Sequence, residues 1–228
     1  MKLTILGSGT SQGIPVIACD CPVCRSADPH DKRLRASAML DIKGKKIIID
    51  AGPDFRYQML RSQVKDLRAI LLTHGHKDHI GGLDDVRAFN WVKQGAVDVY
   101  GNEGTREVVY KDFSYAFAAF RYPGVPEINY HVIDDRPFYI DDIQVVPIPV
   151  LHYKMPVLGF RIGNFAYITD AKTIPASSME RLKGVEYLVI NALRKELHMS
   201  HFNLEEALTM IARIQPKSAF LTHIGHQM

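Results

Sequence analysis

The stretch Ala69-Ile-Leu-Leu-Thr-His-Gly-His-Lys-Asp-His-Ile-Gly-Gly-Leu83 places metal-binding side chains directly behind an apolar run. The run Ala69–Leu72 predicts a buried strand. His74 and His76 are two positions apart, so in an extended chain both imidazoles project to one side and can chelate one ion. Asp78 and His79 follow after a short turn and can hold a second ion nearby. The stretch therefore predicts a strand that ends in a metal-binding loop.

Four ligands from one loop cannot complete two coordination spheres, so further ligands are expected downstream. His152, Asp170 and His223 each stand at the end of a predicted strand. In layered α/β folds such strand ends gather at one edge of a sheet, where sites form. Asp170 is the best candidate to bridge two ions, because one carboxylate can offer an oxygen to each. A bridged pair about 3.5–4 Å apart is a known hydrolytic arrangement.

Short runs rich in Val and Ile recur along the chain and predict strands, and fewer stretches show helical spacing. The predicted strands are Leu3–Leu6, Ile47–Ile49, Ala69–Leu72, Val97–Tyr100, Ile143–Val146, Val157–Ile162, Phe165–Ile168, Tyr187–Ile190 and Ala219–Leu221. The predicted helices are Asp54–Ser62, Asp84–Trp91, Gly104–Phe120 and Leu204–Ile214. For the last of these, Asn203 and Glu206 form a capping box, and Leu204, Ala207, Leu208, Ile211 and Ala212 are expected on one apolar face. Several strands are apolar on both faces, which favours an α/β fold of sheets covered by helices.

Composition excludes several classes of protein. The 228 residues are 46% hydrophobic, which excludes a disordered chain. Their net charge is only +3, which excludes the strongly basic composition typical of nucleic-acid-binding proteins. The apolar runs are too short to cross a bilayer, and the start of the chain breaks at Gly7 before a signal-peptide core could form. We expect a single cytoplasmic domain over residues 1–228.

The three cysteines, Cys19, Cys21 and Cys24, fall within six residues. An odd, bunched set of thiols cannot form an internal disulfide framework and is typical of a zinc site. Tetrahedral zinc needs a fourth ligand, and His226 is a spare histidine near the end of the chain. The glycines between Gly7 and Gly13 are wrongly spaced for a dinucleotide-binding turn, so a glycine-rich turn near the site is the preferred interpretation.

Thr73-His-Gly-His-Lys-Asp-His79, followed by the later His152, Asp170 and His223, resembles the signature of the metallo-β-lactamase superfamily. The resemblance implies a four-layer αβ/βα sandwich with metals at one edge of its two sheets. It implies a first ion on His74, His76, His152 and Asp170. It implies a second ion on Asp78, His79, Asp170 and His223. Asp50 resembles the aspartate that supports the metal loop from behind.

Within that superfamily, the Gly7–Pro15 turn, the cysteine motif and His223-Ile-Gly-His226-Gln are similar to the phosphoribosyl 1,2-cyclic phosphate phosphodiesterase family of phosphonate degradation. The resemblance implies a structural zinc on Cys19, Cys21, Cys24 and His226, and a homodimer. Relatives continue past the last motif through a closing strand, whereas this sequence stops at Met228. A missing C-terminal segment and an unusually bare edge near His223 both stay open.

We therefore expect a metal-dependent hydrolase of a small (cyclic) phosphodiester such as phosphoribosyl 1,2-cyclic phosphate. Two divalent ions, zinc or manganese, would activate a water that Asp78 orients. By the same resemblance His201, just before a capped helix, is the general acid or a phosphate-binding donor, and His198 is an unplaced neighbour.

Three alternatives keep part of this interpretation. A tRNA 3′-processing nuclease would need a basic arm, and the sequence has no long Lys/Arg-rich insertion. A hydrolase of thioesters, lactones or β-lactams would have no use for the cysteine zinc. A zinc-stabilised binding module would hold one closed metal site and no open one. The expected partner is a small molecule, with neither nucleic acid nor a membrane.

Overall fold

The computed structural model describes residues 1–228 and contains two six-stranded sheets with helices between the strands. The strands are β1 (Lys2–Gly7), β2 (Ser37–Ile42), β3 (Lys45–Ile49), β4 (Ala69–Leu71), β5 (Val97–Gly101), β6 (Ile128–Val132), β7 (Phe138–Ile140), β8 (Ile143–His152), β9 (Met155–Ile162), β10 (Phe165–Ile168), β11 (Tyr187–Asn191) and β12 (Ser218–Thr222). The α-helices are α1 (Pro22–Arg25), α2 (Phe55–Arg61), α3 (Lys77–Ile80), α4 (Arg87–Lys93), α5 (Glu103–Asp112), α6 (Ser114–Phe117), α7 (Ala176–Arg181) and α8 (Leu204–Ile214). No helix has the length and apolar character needed to span a membrane.

The chain divides into two compact units. Unit 1 comprises Met1–Gly7 and Arg35–Asp134, and its sheet has the order β1-β2-β3-β4-β5-β6. The strands β1 to β3 pair antiparallel, and β3 to β6 pair parallel. In the parallel strands β3 and β4, the apolar runs Ile47–Ile49 and Ala69–Leu71 are fully buried, as expected where a strand is covered on both faces. The core of this unit includes Ile48, Ile70 and Val99 from the sheet and Phe55 and Met59 from α2.

Unit 2 comprises Ser8–Leu34 and Asp135–Met228, and its sheet has the order β12-β11-β10-β9-β8-β7. The strands β7 to β10 pair antiparallel, whereas β10, β11 and β12 run parallel. Because the carboxyl ends of β10, β11 and β12 point the same way, residues that follow them share one edge of the sheet. Asp170 and His223 lie at that edge.

All nine predicted strands are found, and the chain has three more, β2, β6 and β7. Helices α2 and α8 match their predicted stretches. The stretch predicted as one helix over Gly104–Phe120 is two helices, α5 and α6, separated at Phe113. Phe113 has φ −115° and ψ 36°, which is not helical backbone. The stretch predicted as a helix over Asp84–Trp91 begins within a 3₁₀ turn, Leu83–Val86, and continues into α4.

Candidate metal centres

The predicted metal loop of unit 1 brings its four ligands together. His74 follows β4, and His76 stands at the N-cap position of the four-residue helix α3. The ring of His74 lies 4.5 Å from that of His76 and 4.2 Å from that of His79, measured between centroids. The Nε2 atom of His79 is 3.1 Å from a carboxylate oxygen of Asp78. We call these four residues the histidine loop.

The buried Asp50 fixes the orientation of the histidine loop. Its carboxylate accepts hydrogen bonds from the backbone N–H of Thr73 at 2.8 Å, from the Thr73 hydroxyl, and from His79 Nδ1 at 2.7 Å. The Thr73 hydroxyl gives its proton to Asp50, so it accepts from His74 Nδ1 at 3.0 Å. In both histidines Nδ1 is engaged, which leaves Nε2 as the ligand atom. Burial raises the pKa of the Asp50 carboxyl, while His79 and Thr73 act against that rise.

Two glycines allow the backbone segments around Asp50 and the histidine loop to touch. A Cβ atom at Gly52 would collide with the carbonyl oxygen of Asp78, and one at Gly82 would collide with that of Gly52. Across this contact the N–H of Ala51 donates to the His79 carbonyl at 2.8 Å. Gly82, near the end of the quoted stretch, thus permits close packing of the two segments. The loop is held by its backbone as well as by Asp50.

Unit 2 gathers the remaining predicted site residues into a second group. His152 ends β8, Asp170 follows β10, His223 follows β12, and His201 precedes α8. His223 Nε2 lies 3.3 Å from an Asp170 carboxylate oxygen, and the His201 ring is 4.4 Å from the His152 ring and 4.8 Å from the His223 ring. We call these four residues the strand-end cluster. The φ angles of Asp170 and His223 are 56° and 55°, a strained left-handed backbone of the kind that occurs at functional sites.

Hydrogen bonds to residues outside the strand-end cluster fix the orientation of its side chains and backbone. His152 Nδ1 donates to the carbonyl oxygen of Ser200 at 2.8 Å, which leaves Nε2 as the ligand atom. The buried amide of Asn191 binds both the N–H and the C=O of Ala171, at 2.8 and 3.0 Å, and so holds the residue after Asp170. Lys172 is ion-paired with Glu206 at 2.6 Å. This lysine stabilises the start of α8.

His201 is 8% exposed, and its buried Nδ1 atom has no hydrogen-bond partner in the protein. Burial lowers the pKa of His201 to about 3, an effect that the nearby Asp170 opposes. His198, whose ring centroid lies 5.2 Å from that of His201, is half-buried. Desolvation and the charge of Arg194 lower the pKa of His198. Both rings are therefore neutral near pH 7.

The cysteine cluster lies wholly within unit 2. The Sγ atoms of Cys19, Cys21 and Cys24 lie 3.2, 3.4 and 3.5 Å from Nδ1 of His226. Cys21 is the N-cap of α1, and the backbone N–H of Cys24 donates to its sulfur and contributes most to lowering the pKa of the Cys21 thiol to about 6. The structure thus brings together the four residues predicted to hold a structural zinc.

The donor sets suit divalent ions. Histidine nitrogens and carboxylate oxygens converge in the histidine loop and in the strand-end cluster, and their second nitrogens are fixed by Asp50, Thr73 and Ser200. Such outer hydrogen bonds are typical of histidines that ligate metals. Three thiols around one imidazole match a tetrahedral zinc site. Sequence reasoning missed Thr73, Asn191 and Ser200, because an isolated polar residue carries no spacing signal.

Comparison with known proteins places the chain in a family. The model of the beta-lactamase superfamily domain matches residues 45–224. The chain is 41% identical to a crystal structure of a diphosphatase from the PhnP family, with a TM-score of 0.93, over 99% of this chain and 87% of that one. It is 42% identical to an octanoyltransferase of Porphyromonas gingivalis over 99% of this chain and 46% of that protein. It is 30% identical to a ribonuclease Z of Nostoc punctiforme over 72% of this chain and 47% of that protein.

The chain thus spans about half the length of these two curated relatives. The matches confirm the predicted metallo-β-lactamase-like α/β fold, in which two sheets are flanked by helices. The chain belongs to the beta-lactamase superfamily and, within it, to the PhnP family.

Proposed function

We propose that this protein hydrolyses a small phosphoric diester, including cyclic esters such as phosphoribosyl 1,2-cyclic phosphate. The histidine loop and the strand-end cluster would hold one pair of divalent ions, zinc or manganese. The ligands of the first ion would be His74, His76, His152 and Asp170, and those of the second Asp78, His79, Asp170 and His223. The observation that carries the proposal is that His74, His79 and His152 each use Nδ1 in an internal hydrogen bond. That arrangement reserves three Nε2 atoms for metal.

The names of the relatives favour phosphate chemistry. A diphosphatase and a ribonuclease both break bonds between phosphorus and oxygen, and one is 41% and the other 30% identical to this chain. Divalent ions, when bound, lower the pKa of a water and offset the charge that develops on phosphoryl oxygens. A diester with one negative charge is suited to such a site.

The chain's own residues would orient the reactants. The Asp78 carboxylate can accept a hydrogen bond from the attacking water and hold it in line with phosphorus. His201, whose pKa is about 3, is neutral at physiological pH. A neutral ring donates through one N–H and is a poor general acid, so of its two predicted roles we favour the phosphate-binding donor.

Zinc on Cys19, Cys21, Cys24 and His226 would have a structural role. The four ligands fill a tetrahedral sphere and leave no open position for substrate. The three cysteines form no disulfide in the structure, which fits the reducing cytoplasm that we propose as the location.

Two other functions are weaker. Ribonuclease Z activity is the second candidate, because that relative matches 168 residues of the chain, but a net charge of +3 offers little attraction for RNA. Octanoyl transfer is not proposed. A covalent acyl intermediate commonly uses a cysteine, and all three cysteines belong to the zinc cluster.

The test compares the wild-type protein with His76→Ala after loading with zinc or manganese. The substrates are bis-(4-nitrophenyl) phosphate, a ribose cyclic phosphate, a tRNA precursor, nitrocefin and an acyl thioester. We expect hydrolysis of the two phosphodiesters and a loss of more than about 100-fold in His76→Ala, since a metal ligand is removed. The control is His30→Ala, because the side chain of His30 is 89% exposed.

Metal analysis accompanies the rates. The wild-type protein should hold two ions beyond the cysteine zinc, and His76→Ala should lose at least one while keeping its circular dichroism spectrum. Cleavage of only nitrocefin and the thioester would contradict the proposal. A single tightly held zinc without any hydrolysis would indicate a binding module.

A further inference from the structure

We propose that His198, which belongs to neither ligand set, is a substrate-binding residue whose Nε2–H donates a hydrogen bond to a phosphoryl oxygen. This inference rests on the proposed function, because it assigns a further contact in the same site.

The tautomer of His198 follows from its hydrogen bonds. The backbone N–H of Ser200 points at Nδ1 from 3.3 Å, and the Ser200 hydroxyl lies 3.2 Å from the same atom. A backbone N–H can only donate, so Nδ1 must be the acceptor. In the neutral ring the proton is then on Nε2. His198 therefore presents a fixed N–H donor.

This donor faces away from the protein's own acceptors. Nε2 makes no hydrogen bond within the chain, and it is absent from the polar atoms that are shielded from solvent. His201, by contrast, is buried. A ligand can thus reach His198 without any movement of the fold.

Ser200 couples His198 to the strand-end cluster. Its N–H donates to His198, and its carbonyl accepts from His152. The His198 ring also lies 5.2 Å from His201, which in turn is 4.4 Å from His152. His198 therefore lies next to the strand-end cluster but outside both predicted ligand sets, which suits a contact to a bound substrate.

The surroundings indicate an anionic ligand. Among the charged groups that act on the ring, the cation Arg194 has the largest effect. Positive charge beside a neutral N–H donor favours a ligand that is negatively charged and accepts a hydrogen bond. A phosphoryl oxygen has both properties, and hydrogen bonds to charged groups are stronger than those between neutral ones.

Two substitutions separate a substrate contact from a role in loop structure. In His198→Gln the side-chain NH₂ takes the place of Nε2–H, whereas in His198→Asn the side-chain oxygen keeps the bond from Ser200 but the outer donor is lost. We expect His198→Asn to raise KM for bis-(4-nitrophenyl) phosphate roughly 10-fold, with kcat within about 2-fold of wild type. His198→Gln should stay within about 3-fold of the wild-type KM.

The control is Leu197→Ala, which removes an exposed side chain from the same loop. Normal kinetics in His198→Asn with impaired kinetics in His198→Gln would overturn the proposal, since that pattern marks a structural bond to Ser200. Unchanged KM in both variants would also overturn it.

Binding of inorganic phosphate to the metal-loaded proteins, measured by calorimetry, separates this inference from the proposed function. We expect His198→Asn to bind phosphate roughly 10-fold more weakly than wild type, and His198→Gln to bind it nearly as well. This result holds even if the wild-type protein cleaves no phosphodiester. Equal affinities in all three proteins would refute the contact at His198 and leave the hydrolase proposal standing.

Discussion

At the scale of single residues, Asp50 has the greatest influence on the histidine loop. Asp50→Asn keeps the size of the side chain, but the amide would donate to His79 Nδ1 and so move the ring proton to Nε2, the intended ligand atom. We expect metal affinity at the histidine loop to fall about 10–100-fold, with the cysteine zinc retained. Competition with a chromogenic chelator measures the affinity. Asp66→Asn is the control, because Asp66 is an exposed residue of unit 1; equal affinities in the two variants would refute the role of Asp50.

The ligands themselves could be predicted from the sequence, because their spacing and their position behind apolar runs are local features. The residues that orient them could be predicted only in part. Asp50 was identified through family resemblance, but the bond from His152 to Ser200 joins residues 48 positions apart and depends on the course of the loop before α8. The left-handed backbone at Asp170 and His223 has no signal in residue type, because neither is a glycine.

At the scale of secondary structure elements, helix α1 has only four residues and cannot be stable by its own hydrogen bonds. Its N-cap is Cys21, and the cluster joins it to His226, beyond the end of β12. We expect Cys21→Ser to lose one equivalent of zinc and to lower the melting temperature by about 5 °C or more, with phosphodiesterase activity largely kept. Calorimetry and metal analysis check this against Asp20→Asn, whose side chain is 81% exposed. An unchanged melting temperature and zinc content would show that the thiols hold no metal.

Among the elements, those with local signals could be predicted from the sequence. The capping box of Asn203 and Glu206 is present. Gly163-Asn164, whose composition is typical of a two-residue hairpin turn, joins the paired strands β9 and β10. Strand β7 has three residues, too few to show an alternation of polar and apolar side chains. Strand β6 lies at the edge of its sheet and contains polar residues, so it shows no apolar run. The apolar face predicted for α8 is partly wrong, because Leu208 is 52% exposed. Met210 and Ile214 pack on the core instead, since the direction that a helix presents to a sheet depends on tertiary packing.

At the scale of the whole molecule, the single-domain boundary of 1–228 stays a prediction, and so does the homodimer. Unit 1 exposes Tyr57 and Leu60 on α2 and Trp91 and Val92 on α4, and Leu60 and Val92 line one groove. We call these four residues the α2/α4 patch. Their exposed fractions lie between 57% and 73%. Large apolar patches are uncommon on monomers and mark association surfaces. We propose that a second copy of the chain covers this patch.

If so, the wild-type protein should have the mass of a dimer in light scattering, and the double variant Leu60→Lys, Trp91→Lys should have that of a monomer. The reason is that two desolvated cations without partners would oppose burial of the patch, whereas on the open surface of a monomer they cost little. Tyr139→Lys, a change of an exposed aromatic residue in unit 2, should leave the mass unchanged. A wild-type monomer would contradict the dimer, and a double variant that stays dimeric would show that the interface does not include the α2/α4 patch.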